Sequence, residues 1–174
     1  MGQTESYVTH HMRRLGCTRI EEKHYTVNRQ RFEKGSRRPL NVGAMLTYGG
    51  CIVLIKHHPS TGWDTRWYTP GGGIEDGETP EEALEREVME ELSLRCRVLR
   101  LQKVNREVIH YQDRRADTYF FQFHAEVAGA FRPVPAEGEV MEVRLFDSLP
   151  ENMAFREDYE GFFEEFKRGG ATEI

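Results

Sequence analysis

Residues 71–94 constrain the fold of this chain more than any other stretch. They open on Gly71, Gly72 and Gly73, where a tight turn or a close approach of ligand to backbone meets no Cβ. A helix start follows. Thr79 supplies a capping hydroxyl, Pro80 has the fixed φ of a first helical position, and Glu82 completes a capping box with Thr79. Nothing breaks the helical pattern before Ser93. Leu84, Val88 and Leu92 recur at i+4 and face a core. Glu87, Glu90 and Glu91 stand at i, i+3 and i+4, so their carboxylates share an adjacent face. Composition alone would make this a solvated, glutamate-rich helix, but such a face usually interleaves Lys or Arg, and only Arg86 is nearby. A divalent cation turns the repulsion into binding, and hard oxygen donors with room for water suit Mg²⁺ or Mn²⁺.

Gly72, Glu78, Arg86, Glu87, Val88, Glu90, Glu91 and Leu94 occur in one register that resembles the Nudix box of the Nudix hydrolase family. One position departs: Ser93 stands where the family usually has Gly. That position ends the helix, where a left-handed residue is often needed, so Ser costs some cap stability and touches no ligand. The resemblance covers roughly residues 40–167 and implies an α/β/α sandwich with a mixed β-sheet. It also implies hydrolysis of a diphosphate linkage in a nucleoside diphosphate-linked substrate. Mg²⁺ (or Mn²⁺) would be held by Glu87, Glu90, Glu91 and the backbone carbonyl of Gly72. Arg86 would orient Glu87 and pair with Glu78. The general base is a box glutamate in some relatives and a later loop glutamate in others. Here Glu137 and Glu139 are the loop candidates, Glu137 the stronger.

The length of 174 residues fits one domain of ordinary size, here a Nudix domain over 39–170 behind an N-terminal extension, 1–38. A net charge of -5 argues against a general nucleic-acid binder. Three cysteines, Cys17, Cys51 and Cys96, lack any C-x-x-C pairing, which predicts a reducing, cytoplasmic setting without disulfides. No apolar run approaches the ~20 residues of a membrane span, so no membrane association is expected. In the extension, Tyr7, Val8, Met12 and Leu15 suggest a helical face stopped by Gly16, and partial alternation between Ile20 and Phe32 suggests an edge strand. Residues 33–39 read as a polar, turn-rich connection. Arg29, Arg31, Lys34, Arg37 and Arg38 make it locally basic: a solvated linker, or a positive rim that steers a phosphate-bearing substrate.

Residues 42–48 and 51–55 read as strands joined by a Gly49–Gly50 hairpin turn. Trp67 is expected in the core; Trp63 fits either packing or stacking on a nucleobase. Strands are expected over 96–104 and, separately, 107–111, followed by a charged turn over 112–117 and a buried central strand over 118–127. Residues 139–146 alternate with Met141, Val143 and Leu145 on the apolar face. A closing helix over 156–168 carries Tyr159, Phe162, Phe163 and Phe166 on one stripe. His110 and Tyr111 occupy the region where many ADP-ribose hydrolases of the family carry a proline. The short Trp67-to-Gly73 entry and compact size resemble the family's nucleoside-triphosphate pyrophosphohydrolases, so the preferred substrate is a nucleoside triphosphate or related nucleotide. ADP-ribose, a nucleotide sugar or a dinucleoside polyphosphate come next, and a non-catalytic nucleotide sensor or a capped-RNA hydrolase using the basic segment are the alternatives. A homodimer is left open.

Overall fold

The computed structural model describes residues 2–170. The elements run α1 (Gln3–Arg14), β1 (Ile20–Thr26), α2 (Arg29–Arg37), β2 (Leu40–Tyr48), β3 (Cys51–His57), β4 (Gly71–Gly73), α3 (Pro80–Leu92), β5 (Cys96–Tyr111), β6 (Arg114–Val127), β7 (Val140–Phe146) and α4 (Glu160–Gly170). The strands hydrogen-bond in the order β1-β5-β6-β2-β3-β7, with β4 on β2. β1 is parallel to β5, whereas β2–β3, β2–β4 and β3–β7 are antiparallel. This is the mixed sheet with flanking helices, of α/β class, expected above. Gly49 and Gly50 turn the β2–β3 hairpin with φ values of 56° and 81°, a left-handed pair that favours glycine. Gly71 lies opposite Gly43, and a Cβ there would stand 2.2 Å from the Val42 carbonyl oxygen, so glycine is required.

The chain divides into two compact units. The first comprises Gly71–Leu84, Arg100–Phe123 and the described residues up to Gly43. In it α1 buries Val8, and the Tyr7 ring meets Phe121 edge-on at 6.1 Å. The Tyr7 hydroxyl donates to the Glu78 carbonyl at 2.8 Å, and Arg14 lies 2.6 Å from Glu81. β1 is an edge strand with strict exposed–intermediate alternation, as its pattern suggested, but it ends at Thr26, and residues 29–32, expected within it, belong to α2. The polar connection over 33–39 is instead mostly helix α2. Asn28 caps it through Arg31 N–H at 2.9 Å, and Phe32 is buried. Gly35, a turn signal in sequence, permits close packing: a Cβ there would come 2.7 Å from Ile109. The two strands expected over 96–104 and 107–111 are one, β5, because Asn105 and Arg106 continue the ladder opposite Glu21 and Glu22 of β1. Lys103 is buried and lies 2.8 Å from Glu21; buried Gln122 donates to Gln102 at 2.9 Å.

The second unit comprises Ala44–Pro70, Glu85–Leu99 and the described residues from His124 onward. Its core joins Met45, Ile52, Leu54, Trp67, Leu149, Met153, Tyr159 and Phe163, with Phe162 and Phe166 packed against it. The α4 stripe and the core placement of Trp67 are as expected. The helix starts later, at Glu160: Phe155 takes a left-handed φ of 53° and a short 3₁₀ turn over Arg156–Asp158 precedes it. The face of β7 is also corrected. Val143 and Leu145 are half-buried as expected, but Met141 is 49 % exposed while Val140 is buried, because the β3–β7 register shifts between Lys56 and His57 and leaves Met141 out of the ladder. Among the described residues, no helix is long and apolar enough to cross a membrane.

Candidate active site

Helix α3 begins as its sequence dictates. Glu82 N–H donates to the Thr79 hydroxyl at 3.2 Å and Thr79 N–H to the Glu82 carboxylate at 2.9 Å, a complete capping box. Before it, Glu75 N–H donates to the Glu78 carboxylate at 2.8 Å, closing the preceding loop. The helix ends at Ser93, with φ of 55° and its N–H on the Met89 carbonyl at 2.9 Å. Serine thus adopts the left-handed conformation for which the family's usual glycine is suited.

Leu84, Val88 and Leu92 are fully buried, which rotates the carboxylates to the neighbouring face. Arg86 Nη1 lies 2.8 Å from Glu87 and 3.2 Å from Glu90. Burial pushes the Glu87 carboxyl up; Arg86 opposes that rise, and the negative charges of Glu90 and Glu139 add to it. Glu91 is buried, whereas Glu90 is open to solvent. Glu87, Glu90 and Glu91 thus offer hard oxygen donors whose mutual charge is offset by one guanidinium. Among the described residues, no three His, Cys, Asp or Glu side chains converge as a ready-made metal cluster. The donor chemistry fits a divalent cation, and Arg86 stands between Glu87 and Glu90 where such an ion would compete with it. Gly72 lies in β4 opposite Val42 and belongs to the first unit.

The loop after β6 closes over the end of α3. Val134 N–H donates to the Leu92 carbonyl at 2.8 Å and Ala136 N–H to the Glu91 carbonyl at 2.9 Å. These satisfy carbonyls that a helix C-terminus leaves without intrahelical partners. Glu137 and Glu139 follow on this loop, both exposed. It is Glu139 whose charge is felt at Glu87. The Glu139 carbonyl accepts from His58 N–H at 2.8 Å, and the Ser60 hydroxyl donates to the Gly138 carbonyl at 3.3 Å. These bonds join the loop to the segment after β3, where Trp63 stacks on His57 with ring centroids 5.0 Å apart and remains 38 % exposed. Asp64 and Arg66 bracket this segment: the Tyr68 hydroxyl and Arg66 Nε donate to Asp64 at 2.8 and 3.0 Å. The hydrogen bond from Arg66 holds the Asp64 carboxyl down at about 2 against the effect of burial. Sequence reasoning missed this junction, because no local pattern signals a bond between residues so far apart in the chain.

A NUDIX domain model matches residues 37–166. The chain is 38 % identical over 66 residues to an RNA pyrophosphohydrolase of Aliivibrio fischeri, covering 35 % of this chain and 39 % of that protein. It therefore spans about two fifths of the length of such a relative. A NUDIX hydrolase from Nitrosomonas europaea superposes with a TM-score of 0.58 at 22 % identity, over 78 % of this chain and 73 % of the other. A MutT NUDIX hydrolase from Burkholderia pseudomallei does so with a TM-score of 0.53 at 25 % identity, over 68 % and 91 % of the two chains. With a family model spanning most of its length and the carboxylate register on α3, this chain belongs to the NUDIX domain family.

Proposed function

We propose that the chain is a divalent-cation-dependent hydrolase that cleaves a diphosphate linkage in a nucleotide, with a nucleoside triphosphate or related nucleotide as substrate. The observation that carries this reading is the acid group on α3: Glu91 buried, Glu87 with its carboxyl raised by burial, and Glu90 beside it. Glu87, Glu90 and Glu91 would hold Mg²⁺ or Mn²⁺. Such an ion supplies charge neutralisation on the diphosphate and a bound water of lowered pKa. Arg86 holds the Glu87 and Glu90 carboxylates in place and limits their repulsion. Glu137 and Glu139 are the loop candidates to accept the proton of an attacking water, and the charge of Glu139 adds to the rise of the Glu87 carboxyl. Exposed Trp63, braced on His57, offers a π-face to a nucleobase.

A second reading has a specific observation in its favour. The curated relative matched here is an RNA pyrophosphohydrolase, so the anhydride would be carried on the 5′ end of an RNA. The deciding experiment is a product-release screen with Mg²⁺ across nucleoside triphosphates, ADP-ribose, nucleotide sugars, dinucleoside polyphosphates and 5′-triphosphorylated RNA. Cleavage of nucleoside triphosphates well above the rest supports the first reading. Preference for the RNA supports the second. Nucleotide binding with no cleavage of any substrate would replace both by a sensor.

A further inference from the structure

Helix α2 is one-sided in charge. Phe32 is buried and Gly35 lets the helix lie close to Ile109 and Thr118, so its apolar side faces inward. Arg29, Lys34, Arg37 and the following Arg38 are exposed. The single acid of the helix, Glu33, is engaged by Arg29 at 2.9 Å. Arg37 donates only to the backbone carbonyl of Glu33, at 3.3 Å, and among the described residues Lys34, Arg37 and Arg38 make no ion pair. Lys34 stands at i+3 to Arg37, a spacing at which like charges destabilise a helix, and Arg38 follows directly at the helix end. In a chain of net charge -5, this helix carries repulsion that a polyanion would relieve.

The surroundings add shape. A cleft of about 490 Å³ runs along Arg29, Glu33, Lys34 and Arg37. On the Phe32–Ser36 side a second cleft, of about 590 Å³, is lined also by Arg114. The Arg114 guanidinium lies 4.6 Å above the Phe32 ring and makes no ion pair among the described residues. Tyr25, beneath Arg31 at 5.6 Å, is a partly exposed aromatic beside the same helix. Cations beside a partly exposed aromatic such as Tyr25 are what single-stranded nucleic acid binds, through its phosphates and its bases.

We propose that this face of α2, with Arg114, binds the phosphodiester backbone of single-stranded RNA. The inference rests on the RNA reading of the substrate and assigns that substrate a docking surface. A bilayer fits less well, because membrane-surface helices turn an apolar stripe outward and the apolar residue of α2, Phe32, is buried.

The test uses the full chain and a short single-stranded RNA with a 5′ hydroxyl, which has no anhydride to cleave, followed by fluorescence anisotropy at several salt concentrations. Simultaneous Lys34→Glu, Arg37→Glu and Arg38→Glu should weaken binding about tenfold or more and lower the salt slope by roughly 0.7 per lost phosphate contact. Nucleoside triphosphate hydrolysis should not change. The charge-preserving set Lys34→Arg, Arg37→Lys and Arg38→Lys should bind as the parent does, which separates charge from folding. Unchanged affinity and slope in the charge-reversed chain would overturn the proposal. So would an equal loss in the charge-preserving chain, or a loss of binding to anionic vesicles with RNA binding intact. If the parent cleaves only mononucleotides yet the charge-reversed chain loses RNA binding, the RNA substrate reading fails and the surface stands. If RNA is cleaved equally well by both chains, the surface fails and the substrate reading stands.

Discussion

The two units bury different chemistry. The second encloses Trp67, Tyr159 and Phe163 with aliphatic and methionine side chains, a core held by dispersion and the exclusion of water. The first buries Lys103, Gln102, Asn105 and Gln122 among its strands, and its tolerance of them depends on partners such as Glu21. Deleting an apolar side chain leaves a cavity whose cost does not depend on pH. Deleting one member of a buried ion pair leaves a charge, and the loss follows the protonation of its partner. The carboxylates of α3 differ from both: Glu87 and Glu90 share one guanidinium, that of Arg86, and the charge of Glu90 adds to the rise of the Glu87 carboxyl.

Phe163→Ala should show the largest effect. It empties the aromatic core and should lower stability by about 4 kcal/mol and the melting temperature by roughly 10 °C, equally at pH 5 and pH 8. A loss under 1 kcal/mol would mean that this core does not hold the second unit together.

Glu21→Ala should cost about 3 kcal/mol at neutral pH by removing the carboxylate that lies 2.8 Å from buried Lys103. The hydrogen bond from Lys103 holds the Glu21 carboxyl down at about 2, with burial opposing and Arg19 assisting. Because the folded-state value is depressed, the stabilisation is complete above the ordinary glutamate range near 4.5 and vanishes as pH falls towards 2. Denaturant titrations of both chains between pH 7 and pH 2 should therefore converge. A gap that stays constant would show that packing, not charge, sets the cost.

Glu90→Gln should lower nucleotide turnover at saturating Mg²⁺ by at least ~100-fold, the upper range for groups that merely support a metal ligand. Stability should barely move, since Glu90 is more than half exposed. Wild-type turnover by this variant would sink the metal-site assignment. Ser93→Gly should give the smallest change, a gain of about 1 kcal/mol, because glycine enters the left-handed conformation at no steric cost. Thermal melts of the two chains would show it, and turnover should stay the same.

Much of α3 was legible from its residues. The capping box, the buried Leu84-Val88-Leu92 stripe, the left-handed helix end at residue 93 and the adjacency of Arg86 to Glu87 all appear as the spacing implied. The Gly49–Gly50 hairpin and the aromatic stripe of α4 were equally readable. Other features were misread for identifiable reasons. In α2, Gly35 and Ser36 look like turn residues, yet Gly35 is there for close packing against Ile109. In β5, Asn105 and Arg106 look like an interruption, but each meets a residue of β1 more than eighty positions away in the chain. In β7, alternation put Met141 on the apolar face with Val143 and Leu145, and only the register shift against β3 left Met141 open.

What the sequence determined by itself is local. Helical geometry fixes neighbours at i+3 and i+4, and a tight turn or cap needs only a few consecutive residues, so the carboxylate register on α3 exists before any tertiary contact forms. Tertiary structure alone decided which loop glutamate acts on Glu87, which acid accompanies buried Lys103 and which side of α2 faces outward. Those outcomes depend on long-range contacts such as that of Glu21 with Lys103. No local propensity encodes them, because the energy of each contact is realised only when distant strands and loops have been brought together.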